Sequence, residues 1–226
     1  MDELSRFIRK SIAKNEEQAR QMLAQAQQEK VQRLLSQSGL GKRFQERTFE
    51  NFAIDSTNKE AHCAAITFIN NFPKTKGLLL TGSVGVGKTH LAAAIANELI
   101  SKLYVVMFGS SADIISRMKQ TFHTDESELD IIDALANVDL LVLDDLGKEK
   151  ASDYTSTIIY QLVNRLYEDE KPILVTTNFM SEPFIERMGE KGEAIVSRLA
   201  EMCTPVLMEG PDWRVEKGEK NGPNHV

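Results

Sequence analysis

From position 2 to about 37, apolar residues recur every three or four positions: Leu4, Ile8 and Ile12, then Ala19, Met22, Leu23, Ala26, Val31, Leu34 and Leu35. That period predicts one long helix, with Gln, Glu, Lys and Arg on its other faces. A continuous helix of this length spans roughly 50 Å at 1.5 Å per residue. It is thinly apolar and weak alone. It reads either as a solvated helix leaning on the core or as an arm for a partner protein or a neighbouring subunit. Ser38-Gly39-Leu40-Gly41 ends it, Gly being the usual stop signal.

Beyond residue 58 the pattern changes to apolar runs separated by helical stretches. Helices are expected over Lys59–Asn71, Lys88–Leu103, Ala112–Thr121, Leu129–Asn137, Asp153–Asp169, Pro183–Met188 and Glu193–Met202. Strands are expected over Leu78–Thr81, Tyr104–Phe108, Leu140–Leu143, Ile173–Thr177 and, as an edge strand, Pro205–Met208. Strands that are apolar throughout and alternate with helices form a parallel sheet covered on both faces. The expected architecture is therefore an α/β fold with a five-stranded parallel sheet. A helical arm (1–45) precedes a core (46–214), and a Gly-, Glu-, Lys- and Asn-rich tail (215–226) is expected to fray.

Composition narrows the class. The chain has 226 residues, 42% hydrophobic and 27% charged, which suits one globular domain with an appendage. No stretch approaches the roughly 20 apolar residues of a membrane span, and no apolar core of a secretory signal occurs near the start. Two cysteines, Cys63 and Cys203, fit packing in a reducing cytoplasm better than a disulfide framework. Charge is uneven: residues 1–47 hold 10 Lys and Arg against 6 Asp and Glu, and the rest 17 against 27. Contact with a polyanion must then be local.

The strongest chemical signal is Gly82-Ser83-Val84-Gly85-Val86-Gly87-Lys88-Thr89, a G-x-x-x-x-G-K-[ST] loop between an expected strand and an expected helix. Glycines let successive N–H groups turn inward to phosphate oxygens, and the helix N-terminus adds positive potential. Lys88 is expected on the β- and γ-phosphates of ATP, and the Thr89 hydroxyl on Mg²⁺. His90, next in the helix, either tunes the site or sits half-exposed. Further on, Leu140–Leu143 runs into Asp144 and Asp145. Alone, two acids at a strand end can form a turn or a cap. After such a loop, Asp144 is expected to hold Mg²⁺ through its waters and Asp145 to orient and deprotonate the attacking water. Asp145 stands where many such ATPases carry Glu, roughly 1.5 Å shorter in reach, so hydrolysis is expected to be slow. Asn178, ending Ile173–Thr177, either positions that water or makes a simple turn.

Taken in order, the phosphate loop, Leu-Asp-Asp-Leu-Gly at 143–147, Thr176-Thr177-Asn178, Val196-Ser197-Arg198-Leu199 and Asp212-Trp213-Arg214 resemble the DnaC/DnaI-type helicase loaders, as does Arg47-Thr48-Phe49-Glu50-Asn51-Phe52. These are AAA+ P-loop ATPases related to the IstB-type transposition ATPases. The likeness runs from about Glu29 to Arg214. It implies that Arg198 is an arginine finger reaching the neighbouring subunit's nucleotide, with a plain surface arginine as the alternative. It implies a γ-phosphate contact for Arg214. It places Phe49 and Phe52 at the adenine pocket, where core packing is the competing reading. A finger implies a head-to-tail spiral or ring. It implies contact with single-stranded DNA, for which Lys119, Phe122, Ser152 and Tyr154 are candidates, with Lys148 and Lys150 nearby; packing or plain surface is the alternative. The family lacks the C-terminal helical lid of other AAA+ proteins, and only 18 residues follow Met208 here.

The expected function is an ATP- and Mg²⁺-dependent helicase loader that binds single-stranded DNA and a replicative helicase. The rivals are an IstB-like ATPase serving a transposase, a small-molecule P-loop kinase and a non-hydrolysing ATP-binding scaffold.

Overall fold

The computed structural model describes residues 3–121, 127–149 and 151–215. The strands are β1 (Gly77–Gly82), β2 (Val106–Ser110), β3 (Leu140–Leu146), β4 (Ile173–Thr177) and β5 (Cys203–Met208). They form one sheet in the order β2-β3-β4-β1-β5, every neighbouring pair parallel. The helices are α1 (Glu3–Gln37), α2 (Lys42–Gln45), α3 (Lys59–Asn71), α4 (Lys88–Ser101), α5 (Ser111–Gln120), α6 (Glu128–Ala136), α7 (Asp153–Glu168), α8 (Ser181–Met188) and α9 (Gly192–Met202).

The alternation of side chains along a strand divides the core in two. Leu140 and Val142 of β3 pack with Leu174, α3 and α4 on one face. Leu141 and Leu143 pack with Val175, α5, α6, α7 and α9 on the other. Pro205 is tolerated because β5 lies at the sheet edge. Among the described residues, no helix is long and apolar enough to cross a membrane.

Most elements differ by one or two residues at an end from the sequence expectation, and three differences have a clear cause. β2 starts at Val106 rather than Tyr104. Leu103 has φ 70°, which ends the α4 turn, and Val105 N–H is spent on the Asp139 carboxylate at 2.7 Å. β3 continues to Leu146 instead of stopping at Leu143, because a bulge carries it past Asp144 and Asp145. The one-turn helix α2 carries too little apolar periodicity to announce itself.

Among its described side chains, the long helix α1 contacts the core only near its end. Residues 16–30 are exposed, with Met22 and Leu23 72% and 71% exposed. Val31, Leu34 and Leu35 pack on the core. The side chains of Leu4, Ile8 and Ile12 lie outside the described residues.

Past Gln37 the chain is strapped down. Phe108 N–H donates to Ser38 O at 2.6 Å. A Cβ on Gly39 (φ 79°) would lie 2.4 Å from Phe108 O, so only glycine fits that turn. Phe44 stacks on Phe108 at 5.8 Å. The Asn97 amide gathers the carbonyls of Phe44, Gln45 and Arg47 at 3.0, 3.3 and 2.8 Å.

Candidate active site

The loop after β1 owes its path to glycine. Gly82, Gly85 and Gly87 have φ 137°, 83° and 102°. A Cβ on Gly82 would lie 1.9 Å from the Met208 carbonyl oxygen. β5 therefore fixes where the loop leaves the sheet. Gly87 precedes the first turn of α4, whose N–H groups face the loop. Lys88 folds back, donating to Gly82 O at 2.8 Å and Ser83 O at 2.6 Å. Its side chain is buried, and burial pushes the ammonium down to about 8 against the opposing pull of Asp145.

A hydrogen-bonded chain joins this loop to two more strands. Thr89 Oγ1 donates to Asp144 Oδ1 at 3.0 Å, and Thr176 Oγ1 donates to the same oxygen at 2.6 Å. Asp145 N–H donates to Thr176 Oγ1 at 2.9 Å. Asp144 is 6% exposed, and burial raises its carboxyl above the usual range while the Thr176 hydroxyl opposes the shift. At the bulge, two residues of β3 face Thr176 alone, and Asp145 takes φ 55°, a left-handed backbone that Asp tolerates better than most residues. The bulge turns consecutive carboxylates to different tasks. Asp144 points at Thr89, whereas Asp145 lines a cavity of about 250 Å³ with Val84, Gly85, Lys88, Thr89, Asn178 and Arg214.

Thr89 and Asp144 present hard oxygen donors within one hydrogen bond of each other, a set that suits Mg²⁺ completed by phosphates and water. Among the described residues there is no cluster of three or more His, Cys, Asp or Glu able to hold a metal by protein ligands alone.

Other expected site residues are placed as follows. Ser83 and Val84 are exposed on the loop and Val86 is buried beneath it. His90 contacts Thr48 O at 3.2 Å and meets the Phe52 ring edge-on at 5.2 Å, so it braces the segment after α2. Phe52 is 7% exposed, and Phe49 packs against the same core. Both pack on the core, and Phe52 also borders a small cavity with Gly87, His90 and Trp213. Arg214 lines the main cavity, held there as Trp213 N–H donates to Gly85 O at 3.2 Å.

Arg198 lies elsewhere, fastened to α7. It donates to Asn164 Oδ1 at 2.9 Å and the Tyr160 hydroxyl at 3.3 Å, and its guanidinium lies over the Tyr160 and Tyr167 rings. It does not line the cavity of its own chain.

Among the nucleic-acid candidates, Lys119 Nζ sits 5.9 Å from the Tyr154 ring centroid, and Tyr154 donates its hydroxyl to Glu128. Ser152 is the N-cap of α7, accepting from Thr155 N–H at 3.1 Å. Phe122 and Lys150 lie outside the described residues. Lys148 belongs to the cavity instead, 2.7 Å from Asp145 Oδ2.

Three participants were missed from sequence. Arg43 and Arg47 line the cavity, Arg43 from the end of the expected arm and Arg47 from the start of the expected core. Glu149 looks like a surface charge in Lys148-Glu149-Lys150, yet it is 4% exposed. Its carboxylate accepts from Ser111 Oγ and Gly147 N–H, and its carbonyl accepts from Arg187. It fixes the turn that follows Asp145.

The description "IstB-like ATP binding protein" matches residues 6–221. The replicative helicase loader DnaC of Escherichia coli K12 is 35% identical over 165 residues, 72% of this chain and 67% of that protein. A crystal structure of the DnaC helicase loader superposes with TM-score 0.66 at 28% identity, covering 75% of this chain and 100% of that one. The replication initiator DnaA bound to AMPPCP and single-stranded DNA superposes with TM-score 0.65 at 25% identity, covering 77% of this chain and 55% of that one.

Proposed function

The chain belongs to the IstB-like ATP-binding protein family, and we propose that within it this member is an ATPase that delivers or remodels a replicative helicase on single-stranded DNA. The observation that carries the ATPase reading is the Thr89–Asp144–Thr176–Asp145 chain, which ties the phosphate loop to a strand-end carboxylate open to the cavity. The loader reading is supported by the 35% identity to DnaC.

In this reading Gly82–Thr89 cradles the triphosphate. Lys88 trades a loop carbonyl for a β- or γ-phosphate oxygen. Thr89 and Asp144 would hold Mg²⁺, which neutralises phosphate charge when bound. Asp145 takes a proton from the attacking water, and Asn178 orients that water. Arg214 contacts the γ-phosphate from its own chain. Arg198 acts on the next subunit's nucleotide, which requires it to leave Tyr160 and Asn164. Self-assembly is head to tail, and the cytoplasm is its place of work. Lys119, Phe122, Ser152 and Tyr154 form the single-strand contact. The N-terminal helix α1 is the partner-binding arm.

The family description favours a second reading, an ATPase that serves a transposase on duplex DNA. One experiment separates the two. ATPase rate is measured with single-stranded and duplex DNA at two salt concentrations, and complex formation is then tested with a replicative helicase. Stimulation by single strands that weakens with salt, with a helicase complex, supports the loader. Stimulation by duplex alone without a helicase complex overturns it.

A further inference from the structure

The cavity carries more positive charge than the phosphate loop accounts for. Arg43, Arg47, Lys88, Lys148 and Arg214 line it, against Asp145 as its lining carboxylate. Lys148 is paired with Asp145, and Lys88 with loop carbonyls. The Arg43 and Arg47 guanidiniums make no hydrogen bond or ion pair to the described residues. This sets them apart from Arg165, Arg187 and Arg198, each engaged with a carboxylate, a carbonyl or an amide. Unpaired guanidiniums gathered on one cavity repel each other until an anion arrives, and their planar fork matches phosphate oxygens.

Their backbone does not swing freely. Asn97 holds the Arg47 carbonyl at 2.8 Å, His90 contacts the Thr48 carbonyl at 3.2 Å, and the Gln45 amide donates to Leu40 O at 2.8 Å. Asn97 and His90 belong to α4, the helix that opens at Lys88. Both arginines are thus presented to the cavity by the strap that also ends α1.

We infer that Arg43 and Arg47 bind the phosphates of the nucleotide, and that residues 38–48 thereby couple nucleotide occupancy to the α1 arm. This rests on the cavity being the nucleotide site. Bound phosphate satisfies the two guanidiniums, stiffens the strap and fixes the direction in which α1 leaves the core. An empty cavity leaves them repelling and the strap looser.

The test uses the full chain and a fluorescent ATP analogue. Arg43→Ala and Arg47→Ala should each weaken binding about tenfold, and the double variant about 100-fold, as expected for charge-assisted hydrogen bonds. In the parent protein, saturating ATP should slow amide exchange in both 85–89 and 38–48. In the double variant, with ATP raised to saturation, 85–89 should stay protected and 38–48 should lose its protection. Parent-like affinity, or protection of 38–48 that survives both substitutions, overturns the inference. Lys88→Ala is the control: unchanged binding there removes the nucleotide reading itself. Should an alanine variant fail to fold, Arg43→Lys and Arg47→Lys keep the charge but lose the fork, and unchanged affinity and protection in them count against the inference.

Discussion

Lys148 Nζ lies 2.7 Å from Asp145 Oδ2, so the carboxylate aimed at the cavity is already paired with the ammonium of the lysine three residues on. The lysine side chain is 41% exposed, and solvent-exposed pairs contribute about 1 kcal/mol at most. The pair therefore holds Asp145 lightly and can be displaced. Lys148→Ala should raise KM for ATP by no more than about fivefold, through loss of a cation from the cavity, and leave kcat unchanged or higher. Steady-state ATPase assays read both. A tenfold or greater fall in kcat would mean that Lys148 acts in the chemical step.

Burial of Lys88 sets a pH limit on nucleotide binding. Its ammonium is held at about 8 before ligand arrives, whereas an ordinary lysine titrates near 10.4. Below pH 8 the group is charged and attracts the triphosphate. Above it, binding must first restore the proton, so affinity should fall by up to tenfold per pH unit. Titrations from pH 6.5 to 9.5 test this, and affinity flat to pH 9.5 would refute it. Because the folded value lies below the unfolded one, the unfolded chain binds more protons between those values. This lysine's effect on stability therefore becomes more favourable as pH rises from about 8 toward 10.4.

Arg198→Ala should show two separable effects. Its bonds to Asn164 and Tyr160 join α9 to α7, so the variant should lose about 1 kcal/mol of stability in a denaturant melt. If Arg198 also serves the adjacent subunit, hydrolysis should fall by at least 100-fold with ATP affinity intact. Adding a Lys88→Ala partner, which supplies its own Arg198, should then restore turnover to the mixture. Loss of stability with normal hydrolysis would leave Arg198 a purely structural link.

The two cysteines should differ sharply toward a thiol reagent. Cys63 is exposed, whereas Cys203 is buried beside Ile173 O and burial pushes its thiol up to about 12. One equivalent should react in the native protein and a second only on unfolding. Rapid reaction of both in buffer would contradict the packing of β5 against β1.

Much of this architecture is legible because continuous apolar runs leave few alternatives. Lys59–Asn71 and Ile173–Thr177 match their elements residue for residue. The phosphate loop was legible because its glycines are a geometric necessity. What was hidden depends on long-range packing. Glu149 reads as surface until Ser111, 38 positions away, supplies its hydrogen bond. Arg43, in the expected arm, and Arg47, at the entry to the expected core, carry no sign of a cavity role until Asn97 draws their segment alongside α4. Phe49 and Phe52 read equally as pocket or core, and the structure shows their ring contacts with His62 and His90 while Phe52 also borders a small cavity.

The exposed part of α1 also has a mechanical meaning. Residue 16 stands about 33 Å from residue 38 along the helix axis. A tilt of only 10° where the helix meets α4 carries that far end through about 6 Å, given the stiffness of a continuous helix. The helix therefore magnifies motion. If residues 38–48 follow the occupancy of the cavity, a small change of angle at the base of α1 becomes a displacement of several ångströms at residue 16.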